Sequence, residues 1–102
     1  MCDDMISTGG TISGAATLVR NRGAKKIYVG ATHGVFCESA LDKLNQAALE
    51  EVIVTDTIPL QNEAKEQKYI TVLSVARLLG EAIRRIHENR SLSRMIEEFG
   101  DV

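Results

Sequence analysis

Three short apolar runs with little polar interruption constrain this chain most: Ile27-Tyr28-Val29-Gly30-Ala31, Val52-Ile53-Val54 and Ile70-Thr71-Val72-Leu73. Each has the length of a strand, and a run that does not alternate polar with apolar suits a parallel sheet covered on both faces. The segments between them have helical spacing. Ala15, Ala16, Leu18 and Val19 recur at helical intervals, and Gly23 supplies the stop. Ala40, Leu41 and Leu44 mark a short helix from about Glu38 to Asn45. Val75, Leu78, Leu79, Ala82, Ile83 and Ile86 form one apolar stripe, with Arg77, Glu81, Arg84 and Arg85 off it, so this helix is expected to bury the stripe in the core. Ser74 is its expected N-cap. A last helix is expected after Ser91, with Leu92, Met95, Ile96 and Phe99 inward and its end frayed where Glu97 and Glu98 oppose the helix dipole. The polar stretch Gln61 to Lys68, following Pro59, reads as an exposed connection. Strands alternating with helices give an α/β domain, its mostly parallel sheet flanked by helices.

At 102 residues, 44% apolar and 25% charged, the chain is expected to fold as one domain spanning 1–102, with a single core. A net charge of −2 gives no broad field for nucleic acid or anionic lipid, so neither partner is expected. Any anion must be caught by a local device. No apolar run approaches the roughly 18 residues of a membrane-spanning helix. Cys2 and Cys37 fit neither a disulfide framework nor a paired metal site, which points to reduced thiols and a cytosolic setting. Met1-Cys2 leads straight into two aspartates, so the chain is expected to begin inside an element.

That opening is also where the chemistry lies. Asp3-Asp4-Met5-Ile6-Ser7-Thr8-Gly9-Gly10-Thr11 joins two carboxylates to a glycine turn and a helix start. Glycine allows positive φ and close approach, so successive N–H groups can converge on a phosphate, and the helix N-terminus adds partial positive charge. Thr8 and Thr11 can donate hydroxyl hydrogen bonds. Charge-assisted bonds of this kind contribute about 1.5–3 kcal/mol each, so three or four would hold a phosphomonoester without a lysine. The carboxylates would repel that phosphate; their partner is a vicinal diol, or a divalent cation. Diol at one end and phosphate at the other describe a pentose 5-phosphate. A plain turn before a capped helix is the alternative. The Walker and dinucleotide glycine motifs are absent, since no lysine follows the loop and Gly9, Gly10 and Gly14 have the wrong spacing.

Asp3 through Thr11 resembles the signature shared by type I phosphoribosyltransferases and PRPP synthetases. Later segments resemble the synthetases in particular: Arg22 to Tyr28, Ala31 to Phe36, Val54 to Pro59, Val72 to Ala76, Glu81 to His87, and Ser91 to Ser93. The resemblance runs in order along nearly the whole chain. It departs at Ser7, where many members carry aspartate, and at Phe36-Cys37-Glu38-Ser39, where a small proline-containing helix start is more usual. The resemblance implies a type I phosphoribosyltransferase-like (Rossmann-like) domain forming the carboxyl-terminal half of a ribose-phosphate pyrophosphokinase. Such enzymes move a pyrophosphoryl group from ATP to ribose 5-phosphate, giving PRPP and AMP, and require Mg2+. Asp3 and Asp4 would then hold the ribose diol and its metal, and Ser7, Thr8, Gly9, Gly10 and Thr11 the 5-phosphate. The ATP site and catalytic loop would lie in the other half, so no catalytic residue is assigned here and the chain alone is expected to bind without turnover. The resemblance further implies homo-oligomers built from dimers, up to hexamers. The alternatives are a phosphoribosyltransferase, or a non-catalytic ribose-phosphate-binding or regulatory relative.

Other residues carry weaker signals. His33 follows a strand and reads as a structural hydrogen-bond partner before a ligand. His87 reads as a surface residue suited to a helix end. Asp56 and Thr57 either close the sugar site or form a turn before Pro59. Ser91 to Ile96 resembles part of a regulatory phosphate site at subunit contacts, and equally an ordinary N-cap. Cys37 receives no role.

Overall fold

In a computed structural model, residues 1–37 and 39–100 are described. Nine elements follow in order: β1 (Cys2–Ile6), α1 (Gly10–Asn21), β2 (Tyr28–Gly34), α2 (Ala40–Ala47), β3 (Glu51–Thr55), α3 (Glu63–Glu66), β4 (Ile70–Leu73), α4 (Ala76–His87) and α5 (Leu92–Gly100). The three apolar runs are β2, β3 and β4, and the expected α/β class with a parallel sheet is what forms. All pairings are parallel, and the strands lie in chain order β1-β2-β3-β4.

That order explains the layering. Each crossover steps in the same direction, and right-handed crossovers then place successive helices on one face of the sheet. α1 and α2 accordingly pack against each other. The core forms between them and the sheet from Ile6, Ile12, Ala16, Ile27, Val29, Ala31, Leu44, Leu49, Val52 and Val54. Burial within β2 and β3 alternates as a result: Val29, Ala31, Val52 and Val54 are buried, whereas Gly30, Ile53 and Thr55 are only partly covered. The sheet is therefore not sealed on both faces, contrary to the expectation from the uninterrupted runs. Continuous apolar sequence signals that a strand tolerates two covered faces, not that this chain supplies both covers.

Two turns show how glycine is used. Gly23, at φ 103°, ends α1 in a Schellman arrangement, with the Ala24 amide donating to the Val19 carbonyl and the Gly23 amide to that of Arg20. A side chain on Gly34 would place its Cβ 2.6 Å from Phe36 Cε2 and 3.1 Å from Val54 Cγ1, so the Phe36 ring seats directly on this residue's backbone.

The helical expectations fared unevenly. α1 ends before Gly23 as expected; the short helix is Ala40–Ala47, and Glu38, where it was expected to start, lies outside the described residues. The stretch read as an exposed connection contains α3, with Ala64 buried. Ser74 precedes Val75, the residue at the cap of α4, but its Oγ still accepts the Ala76 amide at 3.1 Å. The α4 stripe is the main correction. Leu79, Ile83 and Ile86 are 55%, 68% and 61% exposed, and no α4 residue belongs to the core cluster. Amphipathic spacing fixes which face is apolar but not what lies opposite, and here α4 packs chiefly on α5. In α5, Met95 is buried and Phe99 half-buried under the Arg77 guanidinium (5.6 Å from the ring centre), whereas Leu92 and Ile96 are exposed. Glu98, expected to weaken the helix end, accepts from the buried Arg85 at 2.8 Å, and Arg85 also donates to Glu81 at 2.8 Å. A nearby cation thus gives Glu98 a favourable partner that its place at the helix end does not reveal.

Candidate functional site

Parallel strands bring all their carboxyl ends to one edge, where α/β sheets bind ligands. Ile6 and Gly34 are neighbours at that edge, and Thr55 lies beside Leu73. The segment from Ser7 to Gly9 turns the chain from β1 into α1. Gly9 makes the turn at φ 80° and is buried, and a Cβ there would meet the Ala40 carbonyl oxygen at 3.3 Å. Its own carbonyl accepts the Ser13 amide at 2.9 Å, which closes the first turn. The amides of Gly10, Thr11 and Ile12 have no intrahelical acceptor; that of Gly10 has a long contact of 3.4 Å to Thr8 Oγ1. Met5, Ile6, Ser7, Thr8, Gly9, Thr11 and Ile12 surround a small recess of about 30 Å³. Its size suits one end of a ligand, not a whole nucleotide. The structure thus groups four of the five residues expected at a phosphate, with Gly10 at the adjoining helix start.

A support appears here that the sequence did not reveal. The loop after β2 is sutured to the site: the Val35 and Phe36 amides both donate to the Ile6 carbonyl (3.0 and 3.1 Å), and the Cys37 amide donates to the Ser7 carbonyl (2.9 Å). These are backbone bonds, so no residue type announces them.

The aspartates sit differently from the loop. Both lie within β1, and both are exposed, so the pair precedes the strand's end by several residues instead of following it. Successive strand side chains leave opposite faces, which prevents a simple two-carboxylate claw. Asp3 Oδ1 accepts the Asp4 amide at 2.8 Å, while among the described residues the Asp4 carboxylate makes no hydrogen bond or ion pair, leaving it the freer of the two for a ligand. The described residues contain no group of three or more His, Cys, Asp or Glu placed to hold a metal. Carboxylate oxygens nonetheless suit Mg2+, which commonly takes one or two carboxylates and completes its shell with substrate oxygens and water.

His33 and its neighbours form a separate network at the same edge. His33 Nδ1 and Thr57 Oγ1 are 2.7 Å apart, and Thr55 Oγ1 donates to the Thr32 carbonyl at 2.6 Å. This is the structural role read for His33. Asp56 accepts the Val75 amide at 2.9 Å; that bond, helped by Ser74, holds its carboxyl below the usual range. Asp56 thus ties the end of β3 to the start of α4. His87 is exposed in the last turn of α4, as expected. Ser91 Oγ accepts the Arg94 amide at 3.3 Å, the geometry of the N-cap reading. Both cysteines are free thiols, and no helix of the described residues is long and apolar enough to cross a membrane.

Comparison with known proteins matches this arrangement to one family. The family model described as phosphoribosyl synthetase-associated domain matches residues 1–97. A ribose-phosphate pyrophosphokinase of Rhodopirellula baltica is 50% identical over 98 residues, which are 96% of this chain and 31% of that protein. One from Nostoc sp. is 52% identical over 95 residues, 93% of this chain and 28% of that protein. The crystal structure of phosphoribosylpyrophosphate synthetase from Mycobacterium smegmatis superposes with a TM-score of 0.79 at 49% identity, covering 86% of this chain and 29% of that one. This chain therefore spans less than a third of the relatives' length. The match of the family model to nearly every residue, with the same fold in a solved relative at 49% identity, shows that the chain belongs to the phosphoribosyl synthetase-associated domain family.

Proposed function

We propose that this chain is the carboxyl-terminal, sugar-phosphate-binding domain of a ribose-phosphate pyrophosphokinase, and that it binds ribose 5-phosphate at the β1–α1 junction. The observation that carries the reading is the recess of Ser7 to Ile12. A positive-φ glycine there exposes first-turn amides with no intrahelical acceptor, directly after a strand bearing two exposed carboxylates. The loop and helix amides, with the Thr8 and Thr11 hydroxyls, would receive the 5-phosphate. Asp4 stands three residues back along β1, roughly 10 Å between Cα atoms, a span that a pentose 5-phosphate bridges once the carboxylate's reach is added. Asp4 would accept from the ribose diol, and Asp3 would act from the other face of the strand or through a cation.

Mg2+, when bound, would offset phosphate charge and order the oxygens of the substrates; Asp4, or Asp3 from the other face of β1, would contact it. The contribution of this chain to pyrophosphoryl transfer is positioning, in that an anchored phosphate and diol fix where the anomeric hydroxyl stands. ATP would be held by the remainder of the enzyme. The complete protein would be cytosolic and would assemble through dimers, up to hexamers.

Calorimetric titration of the chain with ribose 5-phosphate tests the site. Asp4→Asn removes a charged acceptor and should weaken binding by about 1.5–3 kcal/mol, and affinity equal to the parent's would take Asp4 out of the site. Incubation of the chain alone with ATP, Mg2+ and ribose 5-phosphate should release no AMP above background. Clear turnover would show that the domain needs no other half.

A further inference from the structure

A second, larger cavity of about 440 Å³ opens at the same sheet edge, between the loop after β2 and the segment leading from Ile58 into α3. Its volume lies in the range of small-molecule sites, about 300–1,000 Å³. Two of its lining residues hold backbone conformations that side-chain-bearing residues avoid: Phe36 at φ 50° and Asn62 at φ 46°, ψ −120°. Such conformations persist where surroundings over-determine them and cluster at functional sites. Phe36 is bulky, and its ring is held against the backbone of Gly34, so it serves as wall and leaves the space open.

The lining selects a chemical class. Phe36, Leu41, Pro59 and Leu60 supply apolar surface, and Gln61 and Asn62 supply carboxamides that can each donate and accept. Among the described residues no lysine or arginine lines the cavity, and Glu63 is the one ionisable residue that does. Phosphates and carboxylates are therefore disfavoured. An uncharged planar heterocycle would stack its faces on apolar and aromatic surface and satisfy its polar edge with the amides. We propose that this cavity binds an uncharged heteroaromatic ligand of nucleobase or nucleoside size. The loop lining it is the one whose amides hold Ile6 and Ser7, so the two sites share a wall while using different residues.

Amide resonances followed during separate titrations with adenosine, adenosine 5′-monophosphate and ribose 5-phosphate distinguish the sites. Adenosine should move Gly34 to Phe36 and Leu60 to Ala64 saturably, with a Kd of about 1 mM or tighter. The monophosphate should bind there no more tightly than adenosine, and ribose 5-phosphate should move Ser7 to Ile12 instead. Gln61→Trp, at an exposed rim position, should fill the cavity and abolish the adenosine response while leaving that to ribose 5-phosphate. The proposal is overturned if adenosine moves none of these resonances, if the monophosphate binds the cavity more tightly, or if Gln61→Trp leaves adenosine affinity unchanged. It is equally overturned if the shifts follow protein concentration and not adenosine, which would mean that a second copy fills the space.

Discussion

Replacing Gly9 by alanine separates two costs that usually arrive together. At φ 80° any residue with a Cβ loses about 1–2 kcal/mol from the left-handed conformation alone. At Gly9 the added carbon would also lie 3.3 Å from the Ala40 carbonyl oxygen and 3.7 Å from Leu44 Cγ. The first of these is backbone at the start of α2 and cannot swing aside, so α2 or the loop must shift by a few tenths of an ångström. Strain of that kind adds about 1 kcal/mol or more, for a total of about 2–3 kcal/mol. Gly23 is the internal control: its φ of 103° carries the backbone cost, but a Cβ there would meet nothing within 4 Å. Urea denaturation of both variants, at constant m-value, reads the difference as a larger fall in midpoint for Gly9→Ala. The same shift of the loop should cost ribose 5-phosphate affinity in Gly9→Ala and none in Gly23→Ala. Equal stabilities for the two variants would refute the close-approach reasoning, and unchanged sugar-phosphate affinity would detach Gly9 from the recess.

Three further outcomes follow from particular side chains. Among the described residues the Tyr69 hydroxyl is buried without a partner and burial raises its pKa, so Tyr69→Phe should keep or raise stability by up to about 1 kcal/mol; a clear loss in thermal denaturation would show that the hydroxyl is bonded. The Asp56 carboxyl is held below its ordinary value of 3.8 chiefly by the Val75 amide. A depressed folded-state pKa contributes stability that is present above the unfolded value and lost as pH falls through the folded one, so the cap should fail only in acid, below about pH 4. The Val75 amide resonance should titrate there in the parent and lose that response in Asp56→Asn. Arg85 ties Glu81 to Glu98 across α4 and α5, so in Arg85→Met the amides of α5 should exchange faster while those of β2 and β3 stay protected. Unchanged exchange in α5 would assign the docking to Met95 and Phe99 instead.

The sequence alone determined the class of fold and pointed to the β1–α1 junction as the candidate site, because both readings rest on local chemistry. Runs such as Val52-Ile53-Val54 have strand length and no helical period, and Gly9 stands where a strand must turn into a helix. The resemblance of the segments around these residues named the family that the comparisons show. Everything that depends on what faces what needed the tertiary structure. Leu79, Ile83 and Ile86 have the spacing of a buried stripe, yet same-handed crossovers put α1 and α2 on the covered face and α4 packs chiefly on α5. Asp3 and Asp4 are adjacent in sequence but leave opposite faces of β1, which the pair's spelling cannot convey. The sutures from Val35, Phe36 and Cys37 to Ile6 and Ser7 are made by backbone atoms that every residue carries. Side-chain pattern records a residue's preference for a neighbour or for water, and only the folded chain decides whether that neighbour is there.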